Sequence, residues 1–294
     1  MYYRRKISMA LLQIFAGELD KRTLQKLLFL LTRSQQKPSY DFVPHRYGCF
    51  SFQANADLCT LMKYNLVSET EKTWKYIGIE NYIDTLKRDD RAIIEYIKQK
   101  YGTLSSNELD RLTYQKYPYY AINSTIAKSI LNSEELQKVE EQKSFGSETV
   151  LFTIGYEGIS LESYINRLLE NDIKLLCDVR KNSFSMKYGF SKSQLTKACN
   201  AVGIKFIHIP QVGINADKRR ELNTQADYDK LFDEYKQTVL VEAQEEQIEI
   251  LNLLKEEKRI ALTCFEANIN QCHRKHLAES IVGLQGFNYK LRHI

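Results

Sequence analysis

The stretches LFTIGYEGIS (151–160), LLCDVR (175–180) and RIALTCFEANINQCHRKH (259–276) each run from apolar residues into unusual polar ones. The apolar part of each is short, as in a buried strand. In an open α/β sheet, ligands bind where the carboxyl ends of the strands meet the loops that follow them. We therefore expect the polar residues after these strands to form the functional site.

Predicted strands alternate with predicted helices along residues 149–294. The strands are expected at 149–154, 174–179, 205–209, 259–264 and 288–292. The helices are expected at about 161–169, 191–201, 228–256 and 272–283. This alternation indicates an α/β domain whose mainly parallel sheet is covered by helices on both faces.

The residues before this domain are helical in pattern. Within a helical stretch at 9–31, one face carries the apolar residues Leu24, Leu27, Leu28 and Leu31. Asp20 is placed to cap the helix, and 73–79 (TWKYIGI) is typical of a strand that could form a wing. We predict a helical, winged-helix-like domain at 1–131, followed by a polar linker at 132–148.

The formal net charge is +5, and its excess lies at the N-terminus, where residues 1–63 hold 10 Lys and Arg against 4 Asp and Glu. A basic module of this kind can follow a phosphate backbone. The alternative is a solvated basic face on a helical domain. The residues expected to contact nucleic acid are Lys21, Arg22 and Lys26, at or near the exposed side of the helix, together with Arg46.

The composition is that of a soluble globular protein, with 43% apolar and 27% charged residues. Apolar runs such as 27–31 are far shorter than the roughly 20 residues that span a bilayer. The N-terminus MYYRRKIS lacks the apolar stretch of a signal peptide. We expect a cytoplasmic protein with no membrane partner, whose 6 cysteines stay reduced.

Five blocks in fixed order carry a family resemblance in the second half. They are TIGYEG (153–158), DVR (178–180), GFSKSQL (189–195), GIKFIHIP (203–210) and C-x-E-x5-C-H-R (264–274). Together they resemble the domain of unknown function family 488 over about 149–294, which implies a Rossmann-like α/β domain without a settled activity.

Residues 1–130 resemble the Panacea (SocA-like) antitoxin domains more weakly. That resemblance rests on LQKLLFLL (24–31), YDFVPHRYGCFS (40–51) and YGTLSSNELDRLTYQKYP (101–118). It implies a helical, winged-helix-like module that binds protein or nucleic acid.

The loop after the second strand pairs an acid with a base. Asp178 and Arg180 are two residues apart, so on a strand their side chains share one face. Arg180 could hold the carboxylate ionised or bind a phosphate with two hydrogen bonds. The alternative is a buried ion pair that fixes the loop. Glu266, after another strand, is a candidate acid, base or water-orienting group.

Cys272, His273 and Arg274 fall at the predicted start of a helix. The helix N-terminus favours an anion and would lower the pKa of a thiol, so Cys272 is a candidate thiolate. The alternative is that Cys264 and Cys272 are small buried hydrophobic residues.

A metal site and the common cofactors are not expected. Cys264, Cys272, His273 and His276 are potential zinc ligands, but adjacent Cys272 and His273 should point apart on a helix and C-x-x-C is absent. No P-loop or G-x-G-x-x-G is present, so the cofactor remains unknown.

The leading hypothesis is an enzyme that processes nucleic acid, hydrolysing a phosphodiester or N-glycosidic bond in modified or foreign DNA, in a defence setting. The rival is a non-catalytic nucleotide or modified-base sensor joined to a DNA- or protein-binding module. The expected catalytic residues are Asp178, Glu266, Cys272 and His273. The expected ligand- and phosphate-binding residues are Tyr156, Glu157, Arg180, Cys264 and Arg274.

Overall fold

The chain divides between Lys143 and Ser144 into two units, each with its own buried core. The structure, a computed structural model, describes residues 1–219 and 222–294. The division falls inside the predicted linker, 132–148. The first half of that segment is nevertheless helical, because Asn132 caps it in a capping box and Val139 is buried on its inner side.

The first unit is mainly helical, as predicted. Its helices are α1 (Tyr3–Ile14), α2 (Lys21–Thr32), α3 (Phe52–Lys63), α4 (Arg88–Tyr101), α5 (Ser106–Lys116), α6 (Ala127–Ile130) and α7 (Ser133–Glu140). Its strands are β1 (Glu18–Asp20), β2 (Val43–His45), β3 (Gly48–Phe50), β4 (Val67–Glu69) and β5 (Thr73–Tyr76). The core lies where α1, α2, α3 and α4 pack together.

The helical stretch predicted at 9–31 is interrupted. After α1, Ala16 and Gly17 both adopt positive φ, at 64° and 83°, and turn the chain into β1. Glycine adopts this backbone conformation readily, so the turn forms at that point. The second helix then begins after Asp20, whose carboxylate accepts hydrogen bonds from two backbone N–H groups of the first turn, as predicted.

Three short strands form an antiparallel sheet in the order β1-β5-β4. The strand predicted at 73–79 is β5, which ends earlier, at Tyr76. Along the chain, helix α3 follows the hairpin β2-β3 and precedes strand β4, and Ser51 caps its N-terminus. The winged-helix assignment of this arrangement stays a prediction.

The second unit contains a five-stranded sheet in which the described strands are all parallel, and this confirms the predicted α/β class. Its strands are β6 (Val150–Gly155), β7 (Leu175–Asp178), β8 (Lys205–His208), β9 (Arg259–Cys264) and β10 (Lys290–His293). The order is β10-β6-β9-β7-β8, and every residue of β6 and β9 is buried. Neighbouring parallel strands bring the loops that follow β6, β7 and β9 to one edge.

The helices of this unit are α8 (Leu161–Glu170), α9 (Lys192–Ala201), α10 (Gln225–Gln237), α11 (Val239–Glu242), α12 (Gln244–Glu257) and α13 (His273–Val282). The prediction of a single helix at 228–256 is therefore wrong. The chain bends at Thr238 and Ala243, whose backbone leaves helical values, and this brings Leu240 into the core. No helix in the described ranges is long and apolar enough to cross a membrane.

The division between the units predicts a cleavage site. Residues 141–148 lie between α7 and β6 and contain Lys143, whereas Lys138 lies within a capped helix. Because proteases cut exposed backbone outside helices, limited trypsin digestion should cut first after Lys143. Mass spectrometry of the fragments identifies the bond. Earlier cleavage after Lys138 would contradict this placement of the boundary.

Candidate active site

A cleft of about 470 Å³ lies at the carboxyl edge of the parallel sheet. Its walls come from the loops after β6, β7 and β9 and from the start of α13. Among them are Tyr156, Arg180, Lys181, Lys187, Cys264, Phe265 and His273. The structure thus brings together four residues that the sequence predicted at this site: Tyr156, Arg180, Cys264 and His273.

The loops after β6 and β9 are joined by backbone contacts. The N–H groups of Tyr156 and Glu157 both donate to the carbonyl of Phe265, at 3.1 and 2.9 Å. The Glu157 carboxylate accepts a hydrogen bond of 3.0 Å from the N–H of Ala267, so this residue holds the neighbouring loop. Gly155 makes the approach possible, because a Cβ there would lie 2.0 Å from the carbonyl oxygen of Glu266.

Asp178 and Arg180 form a buried, two-pronged ion pair. Arg180 Nε and Nη2 donate to the two Asp178 oxygens at 2.8 and 2.6 Å, and both residues are at most 5% exposed. Burial lowers the pKa of Arg180, but the Asp178 carboxylate outweighs it and raises that pKa above its ordinary value. This geometry matches the alternative prediction, a buried ion pair that fixes the loop. Both carboxylate oxygens of Asp178 accept hydrogen bonds from Arg180.

The remaining donors of Arg180 hold the cleft wall. Its Nη1 donates to the Tyr156 hydroxyl and its Nη2 donates to the carbonyl of Phe190 at 2.9 Å. The Tyr156 ring stacks on Phe190 with 4.2 Å between centroids. Burial raises the pKa of Tyr156, while the charge of Arg180 opposes the rise, so the phenol stays protonated at neutral pH. Arg180 therefore organises the cleft as well as lining it.

Cys264, Cys272 and His273 form a buried thiol–imidazole cluster whose ligand atoms all lie within 4.8 Å of one another. The expectation that Cys272 and His273 point apart on a helix is wrong. Cys272 precedes α13 with extended backbone, at φ −133° and ψ 131°, so only His273 has helical geometry. This difference in backbone conformation lets adjacent residues face the same sulfur atom.

Hydrogen bonds fix the ring of His273. Its Nε2 lies 3.0 Å from the carbonyl oxygen of Val179, which can only accept, so Nε2 carries a proton. Its Nδ1 lies 3.7 Å from Cys264 Sγ. On its other side the Cys264 thiol donates to Glu266 Oε2 at 3.2 Å. Glu266 is thus coupled to the cleft through Cys264.

Two predicted roles take a different form in the structure. Burial raises the pKa of the Cys272 thiol well above its ordinary value, which outweighs any lowering by the helix N-terminus. This burial fits the alternative of a small buried residue, and the catalytic role of Cys272 stays a prediction. Arg274 is 2% exposed and donates to the carbonyls of Glu266 and Ala267, so it clamps the loop after β9. Its role in binding phosphate stays a prediction.

Residues 160–281 match the family described as domain of unknown function DUF488. The second unit contains a DUF488 domain. The match is narrower than the range 149–294 inferred from the sequence blocks, and it leaves β6 and β10 outside. No curated protein matches the chain. The resemblance of residues 1–130 to Panacea domains stays a prediction.

Sequence reasoning missed the loop between β7 and α9, which supplies much of the cleft wall. Lys181, Phe184 and Met186 line the cleft, and the last two side chains are 69% and 94% exposed. Lys187 Nζ donates to the Tyr156 carbonyl at 2.5 Å, and burial lowers its pKa. The sequence does indicate this role, because a long loop that follows the carboxyl end of a parallel strand borders the crevice.

A second cleft, of about 540 Å³, lies in the first unit. All four predicted nucleic-acid-binding residues line it: Lys21, Arg22, Lys26 and Arg46. Lys72, His45 and Trp74 belong to the same walls. Burial, together with the nearby charges of Arg46 and Lys26, lowers the pKa of His45 to about 4.

The predicted exposure of Lys26 is wrong. Its side chain is 1% exposed, with Nζ 3.3 Å from Asp110 Oδ1 and bonded to the carbonyl of Tyr47. Arg22 also pairs with Asp110, at 3.2 Å, and Lys21 pairs with Glu69 at 2.6 Å. Arg46, in contrast, is exposed and lies over the ring of Tyr47.

The Asp178–Arg180 pair predicts a large effect of one substitution on stability. Asp178→Asn leaves the guanidinium buried without its counter-charge, so the free energy of unfolding should fall by about 3–5 kcal/mol. Denaturant unfolding followed by circular dichroism measures the change. The control is Glu148→Gln in the same unit, which breaks exposed pairs with Lys290 and Arg292 and should barely move the transition. Equal shifts in both variants would contradict a structural role for the buried pair.

Proposed function

We propose that the DUF488 domain hydrolyses a bond in a nucleic acid or nucleotide within the cleft at the carboxyl edge of its sheet. The supporting observation is that Tyr156, Arg180, Cys264 and His273, from separate loops, line one cleft together with Lys181 and Lys187. The cleft therefore combines cations with groups that can move protons. A phosphodiester and an N-glycosidic bond are the candidate targets, and action on modified or foreign DNA stays a prediction.

The walls of the cleft favour an anionic ligand with an aromatic part. Lys181 and Lys187 supply positive charge, and lysine binds phosphate as a point charge. Phe184 and Phe265 are 69% and 41% exposed and line the same cleft as the exposed Met186, and a group of exposed apolar side chains beside polar ones is typical of a ligand-binding groove. Such rings stack nucleobases at a gain of about 1–3 kcal/mol per base.

We assign acid–base chemistry to Glu266, with His273 as the second group. Glu266 Oε2 lies 3.2 Å from the thiol of Cys264, which is in the cleft wall. We assign Asp178 a positioning role instead, because its carboxylate accepts three hydrogen bonds from Arg180. Arg180 presents the Tyr156 hydroxyl and holds the loop that carries Phe190.

A non-catalytic sensor is the second candidate, and one observation favours it. Cys264, Cys272 and His273 are at most 2% exposed, so the cleft has little exposed nucleophilic surface. A ligand could be held by the lysines and aromatic rings without turnover. The two functions share the binding cleft and differ only in whether a bond breaks.

An activity assay separates the two candidates. The full chain is incubated with single- and double-stranded DNA, RNA and nucleotides, with added Zn²⁺ or with a chelator. We expect Glu266→Gln to lower kcat by about 10²–10⁴-fold, since it removes a general acid–base group. The control, Glu256→Gln, makes the same chemical change at an exposed position on α12 and should leave turnover unchanged. Binding without turnover by the folded wild type supports the sensor, and neither binding nor turnover overturns both proposals.

We also propose that the first unit contacts a nucleic-acid backbone through its own cleft. Arg46 and Lys72 are exposed, whereas Lys26 serves to neutralise the buried Asp110. The half-buried ring of His45 lies in the same cleft wall as these cations. A protein partner is the alternative occupant of this cleft.

Salt dependence tests the backbone contact. Each neutralised phosphate contributes about −0.9 to the slope of log K against log salt, so Arg46→Ala and Lys72→Ala should each flatten the slope by about that amount. Fluorescence anisotropy with a labelled duplex at several salt concentrations measures the slope. Lys138→Ala, outside the cleft, is the control. If the wild type and all three variants bind the duplex with the same slope of log K against log salt, the cleft does not contact phosphates and takes a different ligand.

A further inference from the structure

We propose that Cys264, Cys272 and His273 bind a divalent metal ion of the Zn²⁺ type. The carrying observation is that their ligand atoms, two sulfurs and a ring nitrogen, lie within 4.8 Å of one another in a buried position. This inference goes beyond the proposed hydrolysis and does not require it. A metal could hold the loop after β9 whether or not any substrate is cleaved.

The observed spacing is close to that of a tetrahedral zinc site. With bonds of about 2.3 Å to sulfur and 2.0–2.1 Å to nitrogen, neighbouring ligand atoms lie roughly 3.5–3.8 Å apart. Cys264 Sγ and His273 Nδ1 are already 3.7 Å apart. The other two distances are at most 4.8 Å, so these ligand atoms need to approach one another by roughly 1 Å.

The backbone explains how residues eight positions apart in the chain meet. Cys264 is the last residue of β9, and the chain returns through the 3-10 turn Ile269–Gln271. Cys272 is extended, and His273 is the first residue of α13. This route brings one ligand from a strand and two from the start of the next helix, which is why the spacing does not resemble C-x-x-C.

The orientation of His273 is the one that metal-binding histidines have. Such histidines donate the ring N–H that does not bind the metal to a carbonyl or carboxylate. His273 Nε2 donates to the Val179 carbonyl at 3.0 Å, which leaves the lone pair of the neutral ring on Nδ1. Nδ1 is the atom that faces Cys264 Sγ. Val179 thus selects the tautomer that the proposed site needs.

The charge balance suits a buried site. On binding, the two thiols lose their protons to solvent, two sulfur–metal bonds form, and the 2+ ion cancels the two thiolate charges. Thiolate and imidazole donors select Zn²⁺ over the hard cations Mg²⁺ and Ca²⁺. Glu266 Oε2, 3.2 Å from Cys264 Sγ, is the nearest further oxygen ligand. A water as the fourth ligand would give the open coordination of a catalytic zinc site, whereas Glu266 as the fourth would close the site as in a structural one.

Cobalt binding tests the site directly. The full chain is stripped with a chelator under reducing conditions and titrated with Co²⁺, and then with Zn²⁺. We expect one equivalent of Co²⁺ to give a thiolate-to-metal charge-transfer band and tetrahedral d–d bands, both removed by Zn²⁺. Cys264→Ala, Cys272→Ala and His273→Gln should each weaken binding by at least about 100-fold, since changes around zinc ligands alone cost 10–100-fold.

Cys199→Ala is the matched control, because Cys199 is a buried cysteine of the same unit outside the cluster. It should bind Co²⁺ like the wild type. If the reduced, folded wild type gives no charge-transfer band, the proposal is overturned. This test uses the wild type alone, so it holds even if a ligand variant fails to fold. A Cys264–Cys272 disulfide whose reduction restores no metal uptake overturns it as well. Metal binding without hydrolysis leaves this proposal standing and removes only the enzymatic one.

Discussion

The buried ion pair between Asp178 and Arg180 is the interaction on which the C-terminal cleft depends. One guanidinium contacts the end of β7, the Tyr156 hydroxyl after β6 and the Phe190 carbonyl before α9. These contacts join the loop after β6 to the loop between β7 and α9, so the charge of Asp178 fixes backbone that is distant in sequence. A buried pair of this kind adds little net stability compared with apolar residues, but losing one partner is costly. The pair thus makes the conformation of the loops specific.

The class of the second unit could be predicted because parallel strands and their helices leave a clear alternation in the sequence. The five predicted strands lie within two residues of the observed ones at each end. The cap at Asp20 could also be predicted, since its carboxylate accepts N–H groups at the start of a helix. Such features depend on local chemistry, which a sequence carries directly.

Other features depend on contacts that no local pattern contains. The bend at Thr238 follows from the burial of Leu240, and no glycine or proline marks it. Lys26 lies on a helix face that the apolar pattern predicts to be exposed, but Asp110 from α5 pairs with it in the interior. The sequence pattern predicts a helix from Cys272, but the helix begins at His273, and that single residue decides whether the two side chains diverge or meet. The candidate residues were therefore found more readily than their roles.

The strand order of the second unit also has a consequence for folding during synthesis. β6 is made first, yet it lies between β9 and β10, and Val150 pairs with Arg259 and Lys290. All six of its residues are buried in the finished sheet. An apolar strand must therefore wait until more than a hundred further residues have left the ribosome before either neighbour exists. Contacts so distant in sequence form slowly, and this nascent segment is where chaperone protection would matter most.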